Sequence, residues 1–102
     1  MQIWSNYILV AKIATFVNNP VSKAQKLLDR FLTIPADFSW DELVSMLGHF
    51  GFAQLQEKGG SYRCFVLDKT LKIFLHKPHP GNIVKRYALK QVRDKLKEFG
   101  LI

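Results

Sequence analysis

The chain has one cysteine, Cys64. A single thiol excludes an internal disulfide and any cysteine-rich metal site. Within the run YRCFVL it reads as a small core residue, and a reducing compartment suits it best. Long apolar runs are also missing. The longest, residues 7–17 (YILVAKIATFV), is interrupted by Lys12 and is well short of the ~20 residues of a membrane span. No basic stretch precedes it and no A-x-A pattern follows, so neither a signal peptide nor a span is expected. No P-loop, dinucleotide fingerprint, catalytic triad or pair of carboxylates at catalytic spacing is present.

Acidic residues are scarce where bases are dense. Residues 58–102 carry eleven Lys/Arg against Asp68, Asp94 and Glu98, a net of +8. Residues 1–57 carry four against five acids, a net of −1, so one half holds more than the whole of the chain's +7 charge. Solubility alone does not require that separation. A one-sided positive field attracts phosphates, which points to RNA or another polyanion. With 102 residues, 48% hydrophobic, the chain suits one domain with a modest core.

The apolar spacing predicts the elements. Ser22-Lys23-Ala24-Gln25 has capping-box form ahead of a helix over 23–32, stopped by Pro35. Ser39-Trp40-Asp41-Glu42 is a second capping box, and Gly51 suits the C′ position of the helix it starts. A short strand is expected over 52–56, a turn at Gly59-Gly60, and a hairpin of 62–67 and 71–76 around Asp68-Lys69-Thr70. Alternation turns Leu71, Ile73 and Leu75 to the core and Lys72, Phe74 and His76 outward. Pro78 and Pro80 stiffen the segment after the hairpin. Gly81-Asn82 can cap a final helix over about 83–99, with Leu89, Val92, Leu96 and Phe99 inward. Helix, helix, three strands, helix is an α+β order: a three-stranded antiparallel sheet with helices on one face and the other face open. Residues 1–19 end at Asn18-Asn19-Pro20 and read as an extension of uncertain structure, separate from a body over 20–102.

Chemistry concentrates after the hairpin, in His76-Lys77-Pro78-His79-Pro80. Cleaving RNA without a metal needs a base for the ribose 2′-hydroxyl and a cation beside the phosphorane. Imidazole suits the first task; Lys77, Lys85 or Arg86 suit the second. His79 and His76 are the candidate bases. His79 is favoured, since a helix starting near Asn82 would place its positive end beside that ring and keep the imidazole neutral. The structural alternative is that one histidine caps a backbone group and the other is merely exposed. Two histidines three residues apart on an extended segment have no third ligand nearby, so no metal is expected. Arg63, Lys72, Lys77, Lys85, Arg86, Lys90 and Arg93 are the candidate phosphate contacts. The amides of the Gly59-Gly60-Ser61 turn can add to them. His49, near the end of the second helix, suits a structural role.

Residues 38–47 (FSWDELVSML), Gly51-Phe52, Gly59-Gly60-Ser61, residues 75–82 (LHKPHPGN) and the closing 89–91 (LKQ) through 99–101 (FGL) resemble, in that order, the HicA family of toxins from toxin–antitoxin pairs. The resemblance covers about residues 22–102. It implies a double-stranded-RNA-binding-like fold, cleavage of messenger RNA without a metal or cofactor in the cytoplasm, and inhibition by an acidic HicB-like antitoxin. The family's usual motif is Gly-Ser-His ahead of a strand phenylalanine, with that histidine catalytic. Here the run is Gly60-Ser61-Tyr62-Arg63-Cys64-Phe65, so Tyr62 stands at the histidine's place, and a neutral phenol is a poor base at neutral pH. Either His76 or His79 has taken over the role, or the protein is an inactive toxin that binds RNA without cutting it.

Overall fold

A computed structural model describes residues 22–55 and 60–102. The expected extension over 1–19, Gln56 of the expected first strand and Gly59 of the expected turn lie outside those residues.

Helix α1 (Lys23–Leu32) begins where the sequence places it, with Ser22 Oγ accepting from the Gln25 amide at 3.1 Å. The reciprocal half of the expected capping box does not form. The Gln25 side chain instead donates to Asp29 Oδ1 at 2.9 Å, one turn on, a pairing that helix geometry offers to any i, i+4 couple. Helix α2 (Trp40–His49) has both halves: Glu42 N to Ser39 Oγ at 3.1 Å and Ser39 N to Glu42 Oε1 at 2.9 Å. Gly51 follows at φ 102°, the C′ conformation that favours glycine.

Arg30 braces the two helices. Its guanidinium donates to Asp37 Oδ1 at 2.9 Å and to Glu42 Oε1 at 2.6 Å, and lies 5.0 Å from the centre of the Phe38 ring. The Arg30 hydrogen bond is the main cause holding the Glu42 carboxyl below its ordinary range; burial opposes it, and bonding to Ser39 assists.

Strands β1 (Ala53–Leu55), β2 (Tyr62–Leu67) and β3 (Leu71–His76) form an antiparallel sheet in that order. Strand β1 starts one residue later than expected, because Phe52 is buried and packs 6.4 Å from Phe99. The hairpin turns through Asp68 and Lys69, both at positive φ. Its register pairs Leu67 with Leu71 and Tyr62 with His76.

The helices cover one face of the sheet. Phe65, Ile73 and Leu75 point inward onto Phe31, Phe38, Leu43, Met46 and Leu47 from the first two helices. Leu89, Val92 and Leu96 close this core from helix α3 (Arg86–Glu98). Each such side chain contributes about 1.5–3 kcal/mol by leaving water. Cys64 is buried, as expected of a small core residue. It is 3% exposed, but it alternates with Phe65 and so lies on the outer face. Its register partners there are Leu55 and Phe74, and it stands outside the core cluster.

Helix α3 starts at Arg86 rather than near 83, and its N-cap is Lys85, with no side-chain cap. The three residues ahead have another task. The Asn82 carbonyl accepts from Trp40 N at 2.7 Å, and Val84 N donates to the Phe38 carbonyl at 2.8 Å. Ile83 thereby bridges Ser39, and Val84 is buried in the core. A helical turn here would lift Val84 out of the core and leave the first amide of α2 unpaired.

Candidate functional site

The outer face of the hairpin gathers an aromatic and ionisable cluster at the end where β2 begins and β3 finishes. Tyr62 and His76 are direct cross-strand partners, 4.9 Å between ring centres and tilted by 58°. Phe74, the diagonal neighbour, lies 5.6 Å from Tyr62 with the planes within 12° of parallel. Ser61 Oγ is 3.2 Å from His76 Nδ1, and Lys77 N donates to the Ser61 carbonyl at 2.7 Å, extending the pairing past the last strand residue. Two neighbours thus fix the His76 ring. The bond to Nδ1 leaves Nε2 as the nitrogen with no hydrogen-bond partner among the described residues. When Nδ1 carries the hydrogen, Nε2 is a lone pair able to accept a proton.

His79 is placed differently. It lies in the exposed segment between β3 and the Asn82–Val84 stitch, and its ring makes no hydrogen bond among the described residues. With α3 beginning at Arg86, the premise that the helix's positive end sits three residues from His79 does not hold.

The basic residues divide between the two sides of the sheet. Lys72 shares the outer face with Phe74 and His76, and exposed Lys77 continues that strand. Arg63 pairs in register with Leu75 and alternates with Tyr62 and Cys64, so it belongs to the helix side. Its guanidinium folds back on the Gly60 and Tyr62 carbonyls, at 2.9 and 3.0 Å, and closes the turn itself. Lys85, Arg86 and Lys90 are exposed on or beside α3, and Arg93 Nε bonds Asp94 Oδ1 at 3.2 Å. Helix α3 packs on the helix side of the sheet, so this second set lies apart from the outer-face cluster. The contacts of Ser61 and Tyr62 with His76 are not among the sequence expectations, although the hairpin pattern contains them. Once Leu67 pairs with Leu71, antiparallel counting puts residue 62 opposite residue 76.

A family model described as the HicA toxin of bacterial toxin–antitoxin pairs matches residues 40–101. This chain belongs to the HicA family. The match takes in α2, the sheet and α3, and leaves α1 outside. It therefore includes the whole cluster around Tyr62 and His76 in a HicA-family domain, a toxin of a toxin–antitoxin pair. No curated protein and no solved structure matches the chain. Among the described residues, no helix is long and apolar enough to cross a membrane.

Proposed function

We propose that this HicA-family protein is a messenger-RNA endoribonuclease toxin in which His76 is the general base. The observation that carries the reading is the Ser61–His76 contact at 3.2 Å. An imidazole anchored through Nδ1 presents Nε2 to solvent in a fixed orientation. There it takes the proton of a ribose 2′-hydroxyl. The freed oxygen attacks the adjacent phosphorus, the bond to the 5′ oxygen breaks, and a 2′,3′-cyclic phosphate forms. The leaving oxygen takes a proton from water or from the Lys77 ammonium. Lys77 and Lys72 flank the site and oppose the charge that develops on the phosphorane. The nucleophile comes from the substrate, so no cofactor is required for the step.

The resemblance assigns the family's histidine to the position of Tyr62. Tyr62 and His76 share one rung of the ladder, so an imidazole at either place serves nearly the same volume. The base has crossed one strand. His79 remains the second candidate, with less support because no hydrogen bond among the described residues orients its ring. Lys72 and Lys77 hold the scissile phosphate, while Lys85, Arg86, Lys90 and Arg93 draw the flanking strand toward α3. Arg63 contributes charge from the turn. An acidic HicB-like antitoxin, also cytoplasmic, covers the outer face and silences it, as charge complementarity favours.

Inducing the chain alone in a bacterium should arrest growth and fragment messenger RNA. His76→Ala should cut the cleavage rate by about 10²–10⁴ with the melting temperature nearly unchanged, and His79→Ala should do less. Full activity in both variants would remove histidine base catalysis. A specific observation favours the second reading, a non-catalytic RNA-binding module: Tyr62, at the place of the family's histidine, packs against the Phe74 and His76 rings and supplies no imidazole. An unmodified chain that neither arrests growth nor cuts RNA would establish that reading instead.

A further inference from the structure

We infer that Tyr62 and Phe74 form a stacking subsite for an unpaired nucleobase, so that the RNA taken is single-stranded although the fold is of the double-stranded-RNA-binding kind. This deepens the proposed function and rests on its assignment of RNA as ligand. The two rings lie nearly parallel on the open face, 44% and 49% exposed. Leu55, also exposed, continues the apolar surface toward β1. Side chains of this size gain nothing by standing in water, and a contiguous apolar patch on a small domain marks a binding surface. Its surroundings select the occupant. Lys72 and His76 alternate with Phe74 along β3, Lys77 follows, and Asp68 is the only acid in residues 60–80. A flat apolar platform within a cationic rim matches a ligand with flat apolar faces and a chain of negative charges, which is the chemistry of single-stranded nucleic acid.

A duplex does not fit that platform. Its bases cover one another's faces and are reached only along the grooves, whereas unpaired bases can be splayed onto aromatic rings. The subsite also abuts the proposed base, since Tyr62 touches both Phe74 and His76. A base stacked there holds its own ribose and phosphate within reach of the His76 ring. Tyr62 and Phe74 are therefore positioning residues.

The test uses the full chain and RNA that cannot be cut. A 2′-O-methyl oligoadenylate has no attacking hydroxyl, so binding is read apart from cleavage. Its affinity is compared with that of the same backbone carrying abasic sites and with that of a duplex of equal length. The native chain should bind the single strand most tightly. Phe74→Ala and Tyr62→Ala should each weaken it by roughly 5- to 100-fold and erase the preference over the abasic strand, while Tyr62→Phe, which keeps the ring, should retain it. Thermal melts of each variant separate lost stacking from lost folding. Equal affinity for the abasic strand, or a folded Phe74→Ala variant that binds as well as the native chain, would overturn the inference. So would a folded Phe74→Ala variant that keeps its RNA affinity but no longer captures an acidic protein, since the face would then be a protein-docking surface. Base-dependent binding without any cleavage of ordinary RNA would leave the subsite standing and refute the endoribonuclease reading. Cleavage without base dependence would do the reverse.

Discussion

The two faces of one hairpin carry equally large apolar side chains and meet opposite fates. On the inner face Phe65, Ile73 and Leu75 are sealed under three helices. On the outer face Tyr62 and Phe74, set in the same strands, remain half in water beside Lys72 and His76. Packing explains the first set completely, because each ring or branch fills space that nothing else would fill. It explains nothing about the second. Hydrophobicity along β2 and β3 thus has two meanings, one for stability and, on the proposed function, one for recognition. Only the position of the helices separates them.

Substitution breaks this comparison most sharply at its centre. Phe65→Ala, inside the core, should cost about 3–5 kcal/mol, whereas Phe74→Ala should change unfolding stability by less than about 1 kcal/mol. Chemical denaturation of both variants checks this. A large loss for Phe74→Ala would mean that the outer face has a structural duty after all.

Salt sharpens the contrast more gently. With roughly four to six phosphates engaged, log K should fall against log salt with a slope of about −3 to −5. Lys77→Gln should reduce that slope by about 1, while Lys97→Gln, at the far end of α3, should barely alter it. An affinity that does not respond to salt would exclude an electrostatic footprint altogether.

The smallest effect belongs to the brace that holds the inner-face helices together. The Arg30 bond keeps Glu42 more acidic in the folded chain than its ordinary value of 4.5. The unfolded chain then takes up the proton first, so this stabilisation is complete above about pH 4.5 and is lost as pH falls through the folded value. Glu42→Gln keeps an acceptor for Ser39 N but removes the charge, so it should flatten that part of the stability–pH curve. An unchanged acid slope would show that the ion pair is too exposed to matter.

Much of this architecture could be read from residue order. Ser39 with Glu42, and the three-residue turn between two alternating runs, fix their elements to the residue because those signals are local. The start of α3 could not be read that way. Gly81-Asn82 is a plausible cap until Phe38 and Trp40, distant in sequence, claim the backbone of 82–84. Cys64 was legible as a buried residue but its face was not, because a small apolar residue in a strand suits either side. For the site, the histidines were visible but their order was not. His79 gained its preference from a helix start that lies farther on. His76 gains its support from Ser61 and Tyr62, which are close only after the hairpin has closed.

The stitch at Asn82–Val84 also governs how the domain comes apart. It clasps the entrance of α2 to the segment leaving β3, turning everything between into one closed circuit. Local fraying can release α1 or the last turn of α3, but neither α2 nor the hairpin can swing free until the clasp opens. Closing so long a circuit carries a loop entropy that only the buried Val84 and its neighbours offset. The amides of Trp40 and Val84, far apart in the chain, should therefore exchange their hydrogens with solvent as one unit, at the pace of global unfolding.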